Sequence, residues 1–155
     1  MEITISVSKK DVYNNVGLLS SYAGAKSDAE GSQYDFISTT DEDEQLLDRF
    51  WGYAKNKLCD VLRRLVVSEN EISTTEGDTK FELELKVSDR FNTSLKSSIE
   101  RNIRDYFVKN ITTYWYMYTN KTACEAASAE VQGLLDEIYN KVYSLERPVR
   151  PPKNR

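Results

Sequence analysis

Residues 79–119 read TKFELELKVSDRFNTSLKSSIERNIRDYFVKNITTYWYMYT, and the repeat of their apolar positions changes once along the way. Phe81, Leu83, Leu85 and Val87 alternate with Glu82, Glu84 and Lys86, the two-residue period of a strand with one buried and one charged face. From Phe91 the spacing becomes three and four. Leu95, Ile99, Ile103, Tyr106 or Phe107, Ile111 and Tyr114 fall on one side of a helix that Ser88 or Asp89 is expected to cap. About 30 residues of helix at about 1.5 Å each reach about 45 Å. A strand feeding so long a helix argues for segregated α and β elements, an α+β fold.

Toward the N-terminus, Ile72 to Thr75 are β-branched or small, and Glu76, Gly77 and Asp78 form a turn, so a β-hairpin is expected near 71–87. Ahead of it, Leu47, Phe50, Trp51, Ala54, Leu58, Leu62 and Leu65 make one apolar helical stripe. Thr40 or Asp41 is expected to cap it, with Asp43 or Glu44 three residues on. Ile3, Ile5 and Val7 alternate with Thr4 and Ser6 and predict an opening strand. Ser8 then caps a helix over about 9–25, carried by Val12, Val16, Leu19 and Ala23 and closed near Gly24. Residues 26–40 read as a loop that Tyr34, Phe36 and Ile37 pin to the core.

Toward the C-terminus, Asn120 is the expected break. Ala123, Ala127, Val131, Leu134, Leu135, Ile138 and Val142 form a fourth stripe, and Pro148, Pro151 and Pro152 end it in an extended segment. The expectation is one mainly helical domain over 1–146, resembling a four-helix bundle with a small antiparallel sheet, followed by a basic, proline-rich arm over 147–155.

A chain of 155 residues suits one domain and can bury a core without disulfides or metal. The two cysteines, Cys59 and Cys124, are read as small buried apolar residues on helices. The opening residues lack the pattern of a secretory leader, and no run approaches a membrane span, so the chain is expected to fold in a cytoplasm. The net charge is −4, but Arg147, Arg150, Lys153 and Arg155 place four positive charges in the arm and leave −8 for the rest. Such a balance disfavours general nucleic-acid binding.

With no histidine, the chain lacks the commonest general base near neutral pH and the commonest metal ligand. It has no G-x-S-x-G, no P-loop and no cysteine pair at zinc spacing. Asp41, Glu42, Asp43 and Glu44 offer oxygens to a divalent cation on one reading. On the other, they open a helix, where carboxylates meet the positive end of the dipole and fan outward. The second is preferred, and no catalytic residue, metal or cofactor is assigned.

Two features point to protein partners. Tyr114, Trp115, Tyr116, Met117 and Tyr118 are consecutive, and at about 100° per residue they point all round a helix. A surface helix needs only one apolar stripe, so either this helix is central or some of these side chains serve an interface. Lys109 and Lys121 alone flank the run, too little charge for a groove that stacks single-stranded nucleic acid. The second feature is the arm, whose Arg147, Arg150, Lys153 and Arg155 suit carboxylate partners or phosphates.

The stretch 34–51, YDFISTTDEDEQLLDRFW, resembles a segment of small proteins encoded by tailed phages and prophages of Bacteroides-type gut bacteria. The layout of the whole chain also resembles the head–tail connector (adaptor) proteins of tailed phages. The shared features are the acidic start before Leu47, the stripe through Ala54 and Leu58, the hairpin near Gly77 and the arm from Arg147. The opening strand and the long aromatic third helix depart from that pattern. The resemblance implies a structural protein of the virion neck or tail, made in the host cytoplasm. It would form a homo-oligomeric ring and touch portal or tail proteins, without catalysis, cofactor, specific nucleic acid or membrane. The rival readings are a soluble interaction or regulatory module, such as an assembly chaperone, absent from the finished particle, and a carboxylate-based hydrolase.

Overall fold

The computed structural model describes residues 1–27, 43–74, 77–148 and 150, with side chains from 22 to 27 left aside. The expected loop anchors Tyr34, Phe36 and Ile37, the caps Thr40 and Asp41, and the tail from 151 lie outside these residues. The described elements are β1 (Glu2–Ser8), α1 (Lys9–Ser27), α2 (Glu44–Val61), β2 (Val66–Ser73), β3 (Thr79–Lys86), a 3-10 turn (Thr93–Leu95), α3 (Lys96–Thr119) and α4 (Lys121–Val142). The fold is α+β and mainly helical, with a three-stranded antiparallel sheet in the order β1-β3-β2.

The alternation in β1 and β3 builds the sheet's inner face. Ile3, Ile5 and Val7 lie opposite Leu85, Leu83 and Phe81, and all six are buried. The outer face carries Thr4, Ser6, Glu82 and Glu84. Strand β2 is an edge and behaves differently. Glu69 and Glu71 stand opposite Leu83 and Phe81, on the core side of the sheet. They are tolerated because α2 meets them there: Trp51 Nε1 donates to Glu71 Oε1 at 3.0 Å, and Lys55 Nζ approaches the same oxygen at 3.2 Å. Inward-facing charge and the irregularity between Val66 and Ser68 discourage edge-to-edge pairing of copies through this strand.

Several boundaries differ from the sequence reading. Helix α2 stops at Val61, short of Leu65, as Leu65 N turns back to Leu62 O at 2.8 Å. The β-branched Val66 and Val67 then start the hairpin six residues earlier than Ile72 suggested. Helix α1 runs through Gly24 to Ser27, because a glycine inside a helix costs only about 1 kcal/mol and does not stop it. Phe91 precedes α3 and forms an isolated bridge with Leu145. Asn92 caps the 3-10 turn that leads into α3, its side chain accepting from Ser94 N, while Ser88 accepts from Arg90 N within a preceding turn. The start of α3 itself, at Leu95, has no side-chain cap. No side-chain cap closes the start of α2 at Asp43. Asn120 does separate the last two helices, and its side chain accepts from Ala123 N at 3.3 Å.

Helix α3 is the central element over most of its length. It packs on α1, α2, α4 and β1. From Asn102 to Tyr116 only Arg104, Asp105, Lys109 and Tyr114 are more than slightly exposed. The threonines there return their hydroxyls to the helix: Thr112 donates to Val108 O and Thr113 to Lys109 O, each at 2.7 Å.

The hairpin turn also holds the start of α1. Asp11 N donates to Ser8 Oγ at 3.3 Å, so Ser8 caps as expected. Asp78 reaches over from the turn to accept from the Ser8 hydroxyl at 2.6 Å and from Lys10 N at 3.0 Å. The Ser8 bond is the main reason its carboxyl titrates below the usual carboxylate range. Asp78→Ala is expected to cost about 1 kcal/mol at pH 7, the usual value of a lost cap. A depressed folded pKa means that this contribution is present above the unfolded value of about 3.9 and is lost as pH falls through the folded one. Melting curves of the two proteins should therefore differ at pH 7, and the difference should shrink as pH is lowered below about 3.9.

Candidate protein interface

The five residues at 114–118 do not stay together. Trp115 and Tyr116 are 6% and 7% exposed and belong to the core. Their proposed place in a partner surface is corrected, because α3 is covered on those sides by its neighbours. Tyr116 sits near α1, its hydroxyl 3.5 Å from Leu19 O. Burial pushes that hydroxyl above its ordinary pKa. The last turn of α3 emerges: Met117 is 52% and Tyr118 75% exposed, and Tyr114 is half-buried.

Helix α2 adds what the sequence reading missed. Tyr53 is 47% exposed and stands beside Tyr114, with ring centroids 5.5 Å apart. Beneath them the buried Phe50 lies nearly parallel to both Tyr114 and Tyr118, at 5.4 and 6.2 Å with interplanar angles of 17° and 13°. The result is an aromatic ladder. Phe50 is the buried rung, and Tyr53, Tyr114 and Tyr118 form a water-facing row. Tyr53 escaped notice because it lies off the apolar stripe of α2. Its signal was a large aromatic ring three residues from Phe50, at a position the core did not need. Arg49 and Lys57, four residues before and after Tyr53, are exposed and border the row.

The arm begins at the opposite end of α3. Glu146 N donates to Arg90 O at 2.8 Å, and Arg90 Nη2 donates to Glu146 O at 3.2 Å, so the chain is held beside Phe91 as it leaves the domain. Arg147, Pro148 and Arg150 are exposed. Lys153 and Arg155 lie outside the described residues.

A second apolar surface lies between α1 and α4. A cleft of about 590 Å³ is floored by Val108, walled by Leu18 and Leu134, and includes the ion-paired Lys109 and Glu130, 2.7 Å apart. The acidic residues form no constellation around an ion: among the described residues no cluster of three or more His, Cys, Asp or Glu side chains could hold a metal. Asp48 is occupied by Lys9, at 2.8 Å, and by the Tyr13 hydroxyl. Burial alone would raise its pKa, but these two donors outweigh burial and lower it. No described helix is long and apolar enough to cross a membrane.

Both cysteines are half-buried, less than expected. Cys59 donates its thiol to Glu69 Oε2 at 2.7 Å. Burial first, and the carboxylate second, push its pKa up to about 12. An ordinary thiol is substantially ionised near pH 8.5, whereas this one is almost wholly protonated. In a Cys124→Ser background, alkylation of Cys59 at pH 8 should be at least about 100-fold slower than of a free thiol. Glu69→Gln should accelerate it severalfold. Equal rates with and without the carboxylate would remove Glu69 as a cause.

No protein family, curated protein or solved structure matches the chain.

Proposed function

We propose that this chain is a non-enzymatic structural subunit that works through contacts with copies of itself and with neighbouring proteins, as a ring component of the head–tail connector in a tailed phage particle. The observation that carries the contact role is the row of Tyr53, Tyr114 and Tyr118, which with the exposed Met117 gathers large ring and thioether side chains in one water-facing place. Tyrosine and methionine are enriched at protein interfaces, and large rings lose little conformational entropy when they dock. The exposed basic root of the arm and the apolar cleft over Val108 support the same reading. The phage assignment rests on the resemblance of residues 34–51 and of the layout, and the absence of histidine supports a role without catalysis.

Light scattering coupled to size exclusion tests the contact role, with the chain alone and mixed with purified portal and tail proteins. A defined oligomer, or a complex with one of them, is expected. A monomer that joins none of them ends the proposal. Mass spectrometry of purified particles separates this role from that of an assembly chaperone, which would be missing from them.

A further inference from the structure

Three features invite a ligand. The cleft over Val108 has an apolar floor, but nothing around it selects an occupant. The Cys59–Glu69 pair is closed on itself. The tyrosine row is different, because the chain carries a segment whose chemistry fits it.

That segment is Pro148-Val149-Arg150-Pro151-Pro152, a Pro-x-x-Pro sequence with a further proline. Proline holds φ near −65°, so three prolines in five residues favour a polyproline II helix of three residues per turn. In that helix the backbone makes no internal hydrogen bonds, and residues three apart return to the same side. Such segments dock on aromatic rows, where flat proline rings lie against tyrosine rings and tyrosine hydroxyls donate to the solvated carbonyls. The dimensions agree. Tyr53 and Tyr114 are 5.5 Å apart, and Tyr118 is one turn further along α3, so the row spans on the order of 10 Å. One polyproline II turn, Pro148 to Pro151, advances about 9 Å. Arg49 and Lys57 border the row and carry the same charge as the arm, so the fit rests on proline and guanidinium faces against the tyrosine rings and not on charge pairing.

The arm cannot reach its own row. Glu146 is tied to Arg90, beyond the N-terminal end of α3. Tyr114 lies near the other end, about 27 Å from Lys96 at about 1.5 Å per residue. From Glu146 to Pro151 a fully extended chain spans at most about 18 Å. Tyr118 is further still. A match between the two must therefore join different copies.

We propose that the Pro148–Pro151 segment of one copy docks as a polyproline II helix on the Tyr53–Tyr114–Tyr118 row of the next. This rests on the self-associating role proposed above and names its contact. Because donor and acceptor surfaces differ, the contact is head-to-tail, and repeated head-to-tail contacts close into rings or run on as filaments.

The test uses the full chain and two variants. Tyr53→Ser/Tyr118→Ser removes two exposed rings and keeps the arm. Pro148→Ala/Pro151→Ala keeps the row and loosens the arm. Unchanged thermal melting of each confirms that the domain is intact. Light scattering is expected to show each variant at least tenfold weaker in self-association than the wild type. An equimolar mixture has one sound row and one sound arm, and should give a heterodimer that grows no further. Separately, the peptide RPVRPPKNR titrated to about 1 mM should shift the tyrosine NMR signals of the wild type and bind the Tyr53→Ser/Tyr118→Ser variant at least tenfold more weakly. Wild-type self-association that survives both variants overturns this docking while leaving a self-associating subunit in place. So does a peptide that does not bind a chain that still assembles with portal or tail proteins. A chain that neither self-associates nor joins those proteins overturns both proposals.

Discussion

Trp51→Ala is expected to remove about 3–5 kcal/mol of folding stability, the usual cost of deleting a large buried ring. Trp51 is almost wholly buried on α2. It stacks on Phe107 of α3 at 4.5 Å and meets Phe81 of β3 edge-on at 6.4 Å. It also meets Tyr13 of α1 edge-on at 6.2 Å, and its Nε1 donates to Glu71 of β2. One side chain thus touches two other helices and two strands, and its loss leaves a hole lined from four directions that cannot all collapse inward. A domain of this size is stable by about 5–15 kcal/mol, so this one change removes at least about a fifth of the total. Trp51→Phe separates the two parts of the effect. It keeps a ring on Phe107 but withdraws the donor from Glu71, and a smaller loss of about 1–2 kcal/mol is expected. Urea unfolding with unchanged slope and a lowered midpoint checks both. A loss below about 1 kcal/mol for Trp51→Ala would show that the four elements hold together without it.

Trp51 and Tyr53 also show where sequence reading succeeds and where it stops. Trp51 lies on the apolar stripe with Leu47, Ala54 and Leu58, so its burial was legible from spacing alone. The alternation through β1 and β3 was legible for the same reason, and so was the break at Asn120. Boundaries were less so, because the stripe of α2 continues through Leu65 in sequence while the β-branched Val66 and Val67 draw the chain into the sheet. The proposed partner surface was half legible. Five consecutive large side chains at 114–118 announced that some must leave the core or the helix must be central, and both proved true. Which of them leave depends on where α1, α2 and α4 lie around α3, information that no local pattern holds. Tyr53 was invisible for that reason: its role comes from a ring on another helix, more than sixty positions away. The inward-facing Glu69 and Glu71 were hidden likewise, since only the register of β2 against Leu83 and Phe81 shows which way they point.

The second large effect is expected from Tyr106→Phe, which removes a single oxygen. Tyr106 is wholly buried on α3. Its hydroxyl donates to Ala54 O of α2 at 2.8 Å and accepts from Asn110 Nδ2, one turn further along, at 3.2 Å. Burial, the largest cause, holds that hydroxyl well above its ordinary pKa, so it stays protonated as a donor. Without the oxygen, the buried Asn110 amide loses this acceptor in a place with little water, and the expected loss is about 1–3 kcal/mol. Removing the amide as well should relieve part of the damage: Tyr106→Phe/Asn110→Leu is expected to be at least about 1 kcal/mol more stable than Tyr106→Phe alone. Strict additivity of the two changes, read from urea midpoints, would show that the two groups do not act as a pair. The position of this bond matters beyond stability. Ala54 follows Tyr53 directly, so the bond ties α2 to α3 next to the point where Tyr53 stands beside Tyr114. A loosened α2 spreads the water-facing rings, so Tyr106→Phe should also weaken binding of the arm peptide a fewfold, although the lost oxygen touches no surface. If peptide affinity is unchanged while stability falls, the tyrosine row is positioned by its own stacking on Phe50, and the buried bond serves the core alone.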